Sequence, residues 1–297
     1  MDELVSVVIP NRNGAKFIQD AVTSALCQDY FNIEVIVIDD GSEDNSLEVI
    51  NTFGSQITLL KTPNLGAAGA RNLGIKNANG EFIAFLDSDD YWSLDKIRLQ
   101  MEKMKSGKFD LVYCAGVSFG ERVEKPVHYI PSYSGNCYKF FKRYPTKAIV
   151  VLGCSGALIR KSVLNASGLF DETFRGTAED WDFFRRYSKH SSVGYLVDNL
   201  VKYRIHSGNL SAMDSYTYYL GNLKAVTRML IDDPTIRKIE RRWIWFKFQK
   251  LSAKTFLRDK KYSLAFMSVT MFFARIGEES SNLQSARLEG PGMIGKK

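Results

Sequence analysis

The first ninety residues alternate short apolar runs with longer stretches in which apolar residues recur at helical spacing. The apolar runs predict strands, and the spaced stretches predict helices between them. Strands are predicted over residues 5–9, 34–38, 57–60 and 82–86, and helices over residues 15–27, 44–53 and 66–77. Repeated strand–helix units place their strands side by side and parallel, joined by right-handed crossovers. The pattern therefore predicts an α/β domain with a mostly parallel central sheet flanked by helices.

The pattern changes beyond residue 92. A helix to about residue 105 is followed by strands over 111–114, 156–160 and 193–205, with a helix over 178–190 before the last strand. Residues 117–150 are irregular and rich in Tyr, Phe, Lys and Pro. From about residue 215 the pattern is helical, and residues 278–297 have the composition of a loose tail. We therefore expect a domain over residues 1–212, a helical extension over 213–277 and a tail over 278–297.

The strand predicted over residues 82–86 runs directly into the polar cluster Asp87-Ser88-Asp89-Asp90. Carboxylates this close repel one another, and burying them unpaired is costly. A hard divalent cation such as Mg²⁺ or Mn²⁺ resolves the conflict because it prefers oxygen ligands. The competing interpretation is a helix N-terminus, since Asp and Ser are good caps and helical spacing follows Trp92. The cluster alone leaves both interpretations open.

Two other predicted strands also end in polar residues, Pro10-Asn11-Arg12 and Asp39-Asp40. Ligands of open α/β sheets bind at the carboxyl ends of the strands. We therefore expect these two segments and the cluster at 87–90 to converge at one edge of the sheet. Their convergence would create one acidic pocket that is suited to a cation.

The composition is that of an ordinary globular protein, with 45% hydrophobic and 25% charged residues. The four cysteines include no CxxC pair, so we expect reduced thiols in a cytosolic protein rather than a zinc site or a disulfide scaffold. The N-terminus does not have the pattern of a signal peptide. The longest later apolar stretch, residues 264–274, is shorter than the roughly 20 residues that cross a bilayer, so we expect no transmembrane helix.

The net charge of +7 is concentrated in one segment. Residues 237–261 contain ten Lys or Arg and two acidic residues, a local +8 that leaves −1 for the remainder. Tryptophan and phenylalanine interleave with these basic residues, a pattern typical of a helix at an anionic membrane surface, here the cytoplasmic face. The alternatives are a helical subdomain packed on the rest of the protein and an oligomer contact. Nucleic-acid binding is disfavoured because the predicted pocket is acidic.

Seven short motifs, each weak alone, resemble in order and spacing the family 2 glycosyltransferases with the GT-A fold, over roughly residues 4–212. The motifs are VSVVIP at 5–10, VIDDGS at 37–42, GARN at 69–72, FLDSDD at 85–90, GLFDE at 168–172, EDWD at 179–182 and YRIH at 203–206. The resemblance implies a nucleotide-sugar-binding part over 1–105 and an acceptor part over 106–212. It implies an inverting glycosyltransferase that uses a nucleotide-diphosphate sugar, here taken as a UDP-sugar, with Mn²⁺ or Mg²⁺. The implied acceptor is a hydroxyl of a saccharide or lipid-linked acceptor in cell-surface polysaccharide synthesis.

The resemblance assigns nucleobase recognition to Asp40, with Asp39 supporting the loop. An Asx-type turn before Gly41 is a second explanation of the same residues. Pro10 and Arg12 belong to the implied nucleotide-sugar site, but the family commonly has an aromatic residue at the position of Arg12, where it stacks on the base. A guanidinium can also stack on a base, bind phosphate or face solvent, so these three interpretations of Arg12 stay open.

Residues 87–89 match the DxD motif of the family. By resemblance, Asp87 meets the ribose hydroxyls, Ser88 belongs to the same nucleotide-sugar site, and Asp89 binds the metal ion. Asp90 either caps the next helix or supports the site residues without itself touching the ligand.

Arg71 matches a family arginine near the nucleotide, and its alternative is an ordinary exposed helix arginine. His206 matches a family histidine that meets the metal or the diphosphate, although a lone histidine is usually structural. Arg204 is expected to help hold the diphosphate. Residues 207–211 resemble a mobile loop that would close over the donor and exclude water.

Asp180 is the candidate catalytic base, because the reaction needs one carboxylate to deprotonate the acceptor hydroxyl. It lies at a predicted helix start, where the helix dipole favours carboxylates. Glu179 is the alternative base, and a third interpretation treats both residues as ordinary N-terminal helix acids.

Two functions of other classes compete with that of a glycosyltransferase. A nucleotidyltransferase would need a glycine-rich basic loop after the first strand, and residues 10–14 supply only a poor version. A catalytically inactive binding module is disfavoured because Asp40, Asp89 and Asp180 are all intact.

Overall fold

The computed structural model describes residues 3–121, 123–144, 152–174, 176–209 and 215–268 of the chain. The protein divides into two compact units, residues 1–214 and residues 215–297. The predicted tail over 278–297 lies outside the described residues. The division of the first unit into donor and acceptor parts stays a prediction.

The strands of the first unit are β1 (Val5–Asn11), β2 (Ile33–Asp39), β3 (Thr58–Lys61), β4 (Phe82–Phe85), β5 (Tyr91–Trp92), β6 (Leu111–Phe119), β7 (His128–Tyr129), β8 (Ala157–Arg160) and β9 (Val193–Arg204). Its helices are α1 (Ile18–Leu26), α2 (Ser46–Asn51), α3 (Gly66–Asn77), α4 (Lys96–Gly107), α5 (Tyr138–Arg143), α6 (Leu164–Ser167) and α7 (Glu179–Ser188). The second unit contains α8 (Ser215–Asp232) and α9 (Lys238–Arg258). Every element predicted over residues 1–86 is present, with ends that differ from the prediction by at most three residues.

The strands form one mixed sheet in the order β3-β2-β1-β4-β8-β6-β9-β5, with β7 paired to β6. The pairs among β1, β2, β3 and β4 are parallel, whereas β8 is antiparallel to both β4 and β6. The predicted parallel arrangement therefore holds for the first half of the sheet. The second half is mixed because β8 enters it in the opposite direction.

The inner strands bury their apolar side chains almost completely, as a sheet covered by helices on its faces requires. Val7, Ile9 and Val37 are fully buried in the main core. Helix α3 packs closely on this sheet at Gly74, where an added Cβ would lie 2.4 Å from Cγ1 of Val8. A glycine is therefore needed at this position, and the close packing fixes the helix that carries Arg71.

The region after β4 contains elements that the hydrophobic pattern did not predict. Strands β5 and β7 have two residues each, too short for any periodicity to reveal. Strand β6 was predicted to end at Cys114 but continues to Phe119, because it follows β9 in parallel across a register irregularity between Cys114 and Gly116. Residues 145–151, part of the segment predicted to be irregular, lie outside the described residues.

The second unit packs its two helices through aromatic side chains. Tyr219 of α8 stacks on Phe248 of α9, with ring centroids 5.5 Å apart. Ile244, Trp245 and Phe256 of α9 are also buried. One face of the basic segment is therefore packed inside a helical unit. In the part of the chain that the structure describes, no helix is long and apolar enough to cross a membrane.

Candidate active site

The carboxyl ends of β1 and β2 are joined by side-chain hydrogen bonds. Asn11 lies in register with Asp39, and its Nδ2 donates to Oδ1 of Asp39 at 3.1 Å. Asp39 also accepts the hydroxyl of Ser42 at 2.6 Å and its backbone N–H at 3.2 Å. Asp39 therefore supports the turn after β2, as the sequence suggested.

Asp40 is buried and holds the loop that leads into α3. Its carboxylate accepts the hydroxyl of Thr62 and the backbone N–H groups of Leu65 and Gly66. A carboxylate has about four acceptor sites, so roughly one remains after these three bonds. The contact of Asp40 with a nucleobase stays a prediction, and the structure adds a local role in fixing the start of α3.

Three further residues of the predicted nucleotide-sugar site lie at or near the ends of β1 and β4. Pro10 is paired with Ile38 near the end of β1. Arg12 is exposed, and its Nη1 donates to Oδ1 of Asn64. Ser88 lies beside the loop after β1, because an added Cβ at Gly14 would lie 3.2 Å from its hydroxyl oxygen. The three interpretations of Arg12 remain open.

Arg71 connects two of the predicted site carboxylates. Its Nη2 lies 2.7 Å from Oδ1 of Asp87, and its Nη1 lies 3.5 Å from Oε1 of Glu179. The Arg71 side chain is only 7% exposed. The alternative of an ordinary exposed helix arginine is therefore wrong. The buried guanidinium brings the end of β4 and the start of α7 together.

Asn72 joins two of the sequence motifs and was missed as a site-building residue. Its Nδ2 donates to the carbonyl of Phe170 at 2.9 Å and to Oε1 of Glu172 at 2.8 Å, and its Oδ1 accepts the N–H of Phe170 at 2.9 Å. The side chain thus ties residues 168–172 to α3. Its place inside the GARN motif, directly after Arg71, was the signal that could have identified it.

Helix α7 begins at the two candidate catalytic acids. Ala178, directly before it, has φ 63°, a left-handed conformation that costs a non-glycine residue about 1–2 kcal/mol. Glu179 is buried and Asp180 is half-buried. An added Cβ at Gly153 would lie 3.6 Å from Oδ2 of Asp180 and 4.0 Å from Oδ2 of Asp87. Both carboxylates therefore face the same small space beside Gly153.

The environment of Asp180 makes it a better proton acceptor than an ordinary aspartate. Burial, together with the negative charge of neighbouring Glu179, raises the pKa of Asp180 to about 6. Its Oδ1 accepts the N–H of Trp181 at 2.7 Å, and Arg71 partly offsets the rise. The arrangement suits a group that takes up a proton near neutral pH.

Asp89 and His206 form a direct pair, with Nε2 of His206 3.0 Å from Oδ2 of Asp89. Both side chains are about one quarter exposed, at 26% and 25%. Burial, followed by the charge of Asp87, raises the pKa of Asp89 above its ordinary value. The two predicted metal ligands, 117 residues apart in sequence, are therefore brought together by the fold.

Asp90 does not cap a helix, since α4 begins only at Lys96. It instead bonds to residues that surround the site. It is fully buried. Its Oδ2 accepts the hydroxyl of Ser155 at 2.7 Å, and its Oδ1 accepts the backbone N–H of Arg204 at 3.0 Å. Burial and the charges of Asp89 and Asp87 raise the pKa of Asp90 well above its ordinary value. Ser155 lies in no sequence motif, so nothing in the chain predicted this contact.

Arg204 lies between two aromatic rings. Its guanidinium carbon is 4.7 Å from the ring centroid of Phe17 and 4.5 Å from that of Phe119. Its Nε donates to the carbonyl of Asp89 at 2.9 Å, and its Nη2 lies 2.7 Å from Oδ2 of Asp20. These contacts fix Arg204 beside the Asp89–His206 pair, and its contact with a diphosphate stays a prediction.

The donor set at Asp89 and His206 is compatible with Mn²⁺ or Mg²⁺. Across residues 3–121, 123–144, 152–174, 176–209 and 215–268, no three His, Cys, Asp or Glu side chains are grouped as a metal-binding cluster. Cations that act on nucleotides commonly take only one or two protein carboxylates and complete their coordination with phosphate oxygens and water. One carboxylate and one imidazole that lie side by side, 3.0 Å apart, therefore fit such a cation.

Comparison with known proteins assigns the chain to a family. Residues 6–168 match the model of the glycosyl transferase family 2. An uncharacterized glycosyltransferase of Rickettsia prowazekii is 31% identical over 243 residues, which span 76% of this chain and 73% of the relative. The chain therefore belongs to glycosyltransferase family 2 and is an enzyme of that class.

A second relative is described in more detail. Escherichia coli WfaP, a UDP-Glc:alpha-D-GlcNAc-diphosphoundecaprenol beta-1,3-glucosyltransferase, is 46% identical over 113 residues. The match spans 37% of this chain and 45% of WfaP.

Solved structures share the fold at low sequence identity. S. aureus TarS in complex with UDP-GlcNAc has a TM-score of 0.64 and 19% identity, over 85% of this chain and 72% of TarS. The mannosyltransferase PcManGT from Pyrobaculum calidifontis, in complex with GDP-Man and Mn²⁺, has a TM-score of 0.62 and 16% identity, over 96% and 78% of the two chains. The GT-A fold with C-terminal helices, expected from the sequence, is confirmed.

Proposed function

We propose that this glycosyltransferase inverts the anomeric centre of a nucleotide-diphosphate sugar, with Asp180 as the general base. The observation that carries the proposal is the position of Asp180, which faces the same small space as Asp87 beside Gly153. A donor held at Asp87 would place its sugar in this space. The acceptor hydroxyl would then lie within reach of Asp180.

The choice of Asp180 over Glu179 rests on their partners. Glu179 is buried and paired with Arg71, and proton transfer to it would break a buried ion pair, which is strongly destabilising. Asp180 has a pKa raised to about 6. A general base works best when its pKa lies close to the operating pH. Glu179 is therefore assigned a positioning role through Arg71.

Inversion follows from a single displacement. Asp180 accepts the proton of the acceptor hydroxyl while the hydroxyl oxygen forms a bond to the anomeric carbon. The bond from that carbon to the diphosphate oxygen breaks, and the nucleoside diphosphate leaves on the opposite face. Attack from the face opposite the leaving group inverts the configuration, as in inverting glycoside hydrolysis.

The donor is proposed to be a UDP-sugar. Asp40 retains about one acceptor site for an N–H group of the base, and Asp87 and Ser88 are assigned to the ribose side of the donor. Arg71 and Arg204 supply positive charge near the diphosphate. Support for uridine comes from the names of WfaP and the TarS complex, which specify UDP-Glc and UDP-GlcNAc.

Asp89 and His206 are the residues that would hold a divalent cation. When bound, Mn²⁺ or Mg²⁺ would neutralise the charge that develops on the leaving diphosphate. PcManGT supports this assignment because its structure contains Mn²⁺ together with GDP-Man. Arg204, fixed between Phe17 and Phe119, adds a second positive group on the same side.

The acceptor is proposed to be a saccharide hydroxyl on a lipid-linked carrier, in the synthesis of a cell-surface polysaccharide. The support is the relative WfaP, whose name specifies a diphosphoundecaprenol-linked acceptor. A lipid-linked acceptor would require the enzyme to work at a membrane surface.

An outward face of α9 supports such a surface contact. Ile239, Trp243, Phe246 and Leu257, called the outer stripe below, are 40–65% exposed. Their spacing of four, three and eleven residues keeps them on one side of a helix. Most soluble helices expose few large apolar side chains in such a row.

Basic residues border the outer stripe. Arg242, Lys250 and Lys254 are exposed on the same side of α9, and the ammonium of Lys247 lies 3.4 Å from the ring centroid of Trp243. An apolar stripe bordered by cations fits an anionic lipid surface. We therefore propose peripheral binding at the cytoplasmic face of a membrane, with the buried face of α9 serving the helical unit.

An acceptor and donor screen tests the proposed function. The enzyme is incubated with Mn²⁺, with UDP-sugars or GDP-sugars, and with undecaprenyl-diphosphate-linked GlcNAc, and nucleotide release and product configuration are measured. We expect release of UDP and a product whose anomeric configuration is inverted relative to the donor. Retention of configuration, or equal transfer by Asp180→Asn, would contradict the proposal.

A further inference from the structure

The side chain of Asn209 makes three hydrogen bonds around the Asp89–His206 pair. Its Nδ2 donates to Oδ2 of Asp89 at 3.2 Å and to the carbonyl of Arg204 at 3.0 Å. Its Oδ1 accepts the backbone N–H of His206 at 2.5 Å. A neutral amide supplies two donors and one acceptor in this way, which a carboxylate, hydroxyl or apolar side chain does not.

Two further contacts fix the imidazole of His206. The ring centroid of Phe17 lies 4.6 Å from that of His206, at an interplanar angle of 47°. The backbone N–H of Gly208 donates to Nδ1 of His206 at 3.1 Å. Because Nδ1 accepts this bond, Nε2 carries the ring proton and donates it to Oδ2 of Asp89.

We propose that Asn209 is a positioning residue of the cation site, and that it acts by holding the Asp89 carboxylate, together with the imidazole bonded to it, so that Oδ1 of Asp89 faces the cation. This inference rests on the proposed use of a divalent cation at these two residues. Hydrogen bonds from outside a metal's ligands orient those ligands, and their loss commonly lowers metal affinity about 10–100-fold. Phe17 supports the same pair by fixing the plane of the imidazole.

The bonds of Asn209 leave one carboxylate oxygen of Asp89 available to a cation. Asn209 and His206 both contact Oδ2 of Asp89, so Oδ1 is the oxygen left to face a cation. Asn209 can therefore stay bonded to Asp89 while the carboxylate ligates. Its loss would free the Asp89 side chain to rotate, without removing any ligand atom.

Direct binding measurements test the role of Asn209. Mn²⁺ binding in the presence of UDP is measured by electron paramagnetic resonance for the wild type, Asn209→Ala and Asn209→Leu. The leucine variant keeps the approximate shape of the side chain and removes all three bonds. Asn77→Ala is the control, since Asn77 is an exposed asparagine whose Nδ2 donates to the carbonyl of Leu73 within its own helix.

We expect both Asn209 variants to bind Mn²⁺ about 10–100-fold more weakly than the wild type. UDP binding in EDTA should be unchanged, and raised Mn²⁺ should restore kcat, a rescue that a merely structural defect would not give. Phe17→Leu should weaken Mn²⁺ binding in the same direction, and Asn77→Ala should leave it unchanged.

The outcomes separate this inference from the proposed function. Wild-type protein that does not bind Mn²⁺ with UDP overturns the cation site itself. Wild-type protein that binds Mn²⁺ while folded Asn209→Leu binds it equally well overturns the role of Asn209 alone. A loss of activity in the Asn209 variants that excess Mn²⁺ does not restore also counts against the inference.

Discussion

Arg71 and Glu179 form a buried ion pair, with Nη1 of Arg71 3.5 Å from Oε1 of Glu179. Asp180, the next residue, has no ion-pair partner among the described residues and faces the space beside Gly153. Two adjacent carboxylates therefore have different environments at the start of one helix. Different environments are the usual means by which paired carboxylates acquire different roles.

The first prediction separates these two roles. Asp180→Asn keeps the shape of the side chain but cannot accept a proton, so kcat should fall by ~10²-fold or more while donor affinity is nearly unchanged. Glu179→Gln breaks the pair with Arg71, so it should weaken donor binding and stability. Steady-state kinetics and calorimetry with UDP measure both effects. Loss of kcat at intact donor affinity in Glu179→Gln, with full activity in Asp180→Asn, would reverse the roles.

The pH dependence of activity gives the second prediction. The base must be ionised, and the pKa of Asp180 is raised to about 6. The value of kcat/KM should therefore rise with pH, with a slope of one on a logarithmic scale, and level off above about pH 6. A profile that is flat from pH 5 to 8 in the wild type, with binding unchanged, would exclude Asp180 as the base.

The same raised pKa predicts a change in stability. A carboxyl group whose pKa is raised on folding binds its proton more tightly in the native state, so it destabilises the native state as pH rises from about 4 to 6. Asp180→Asn removes this effect. The unfolding temperature of the variant should therefore exceed that of the wild type at pH 8, and the difference should shrink toward pH 4. Calorimetric melts at both pH values provide the comparison.

The cation site gives a further prediction at Asp89. Asp89→Ala should abolish transfer and remove the Mn²⁺-dependent part of UDP affinity, because it deletes a ligand and the partner of His206. UDP affinity in EDTA should be little changed. Full transfer by the variant, or by the wild type in EDTA, would contradict the assignment.

The affinities for UMP and UDP distinguish the roles open to Arg12. If its guanidinium stacks on the base, Arg12→Ala should weaken the binding of UMP and UDP alike. If it binds phosphate, only UDP should be affected. Calorimetry with both nucleotides decides, and equal affinities for wild type and variant would assign Arg12 to solvent and to its bond with Asn64.

Membrane binding through the outer stripe of α9 is tested with vesicles. The wild type should co-sediment with anionic vesicles and less so at high salt, because salt screens the basic residues. Trp243→Ser with Phe246→Ser should release the protein, and so should replacing Arg242, Lys250 and Lys254 by Gln. Activity on a soluble acceptor should be retained.

Matched controls come from the first unit. Phe31→Ser removes an apolar side chain that is 96% exposed, and the exposed residues Lys76, Lys108 and Lys125 match the loss of three charges. These changes should leave co-sedimentation intact. If the wild type ignores anionic vesicles at low salt, or if the controls release it equally, the outer stripe does not bind lipid.

The amino-acid sequence alone was sufficient for the first half of the fold. Alternating apolar runs and helical spacing specify β1 to β4 and α1 to α3, because local periodicity is set by which residues must face the core. The carboxylate cluster at 87–90 was also visible, because it directly follows a predicted apolar strand. Short strands such as β5 and the continuation of β6 were not visible, because they form by pairing with strands that are distant in sequence or themselves too short to predict.

The tertiary structure decided which site residues work together. No local pattern shows that Arg71 pairs with Glu179, that Asp89 meets His206, or that Ser155 supports Asp90, since each pair is separated by 65 to 117 residues. The sequence therefore determined the kinds of groups available at the sheet edge. Their pairing, burial and raised pKa values depend on how the chain brings distant segments into one low-dielectric space, where charge interactions are strong enough to give each carboxylate its own role.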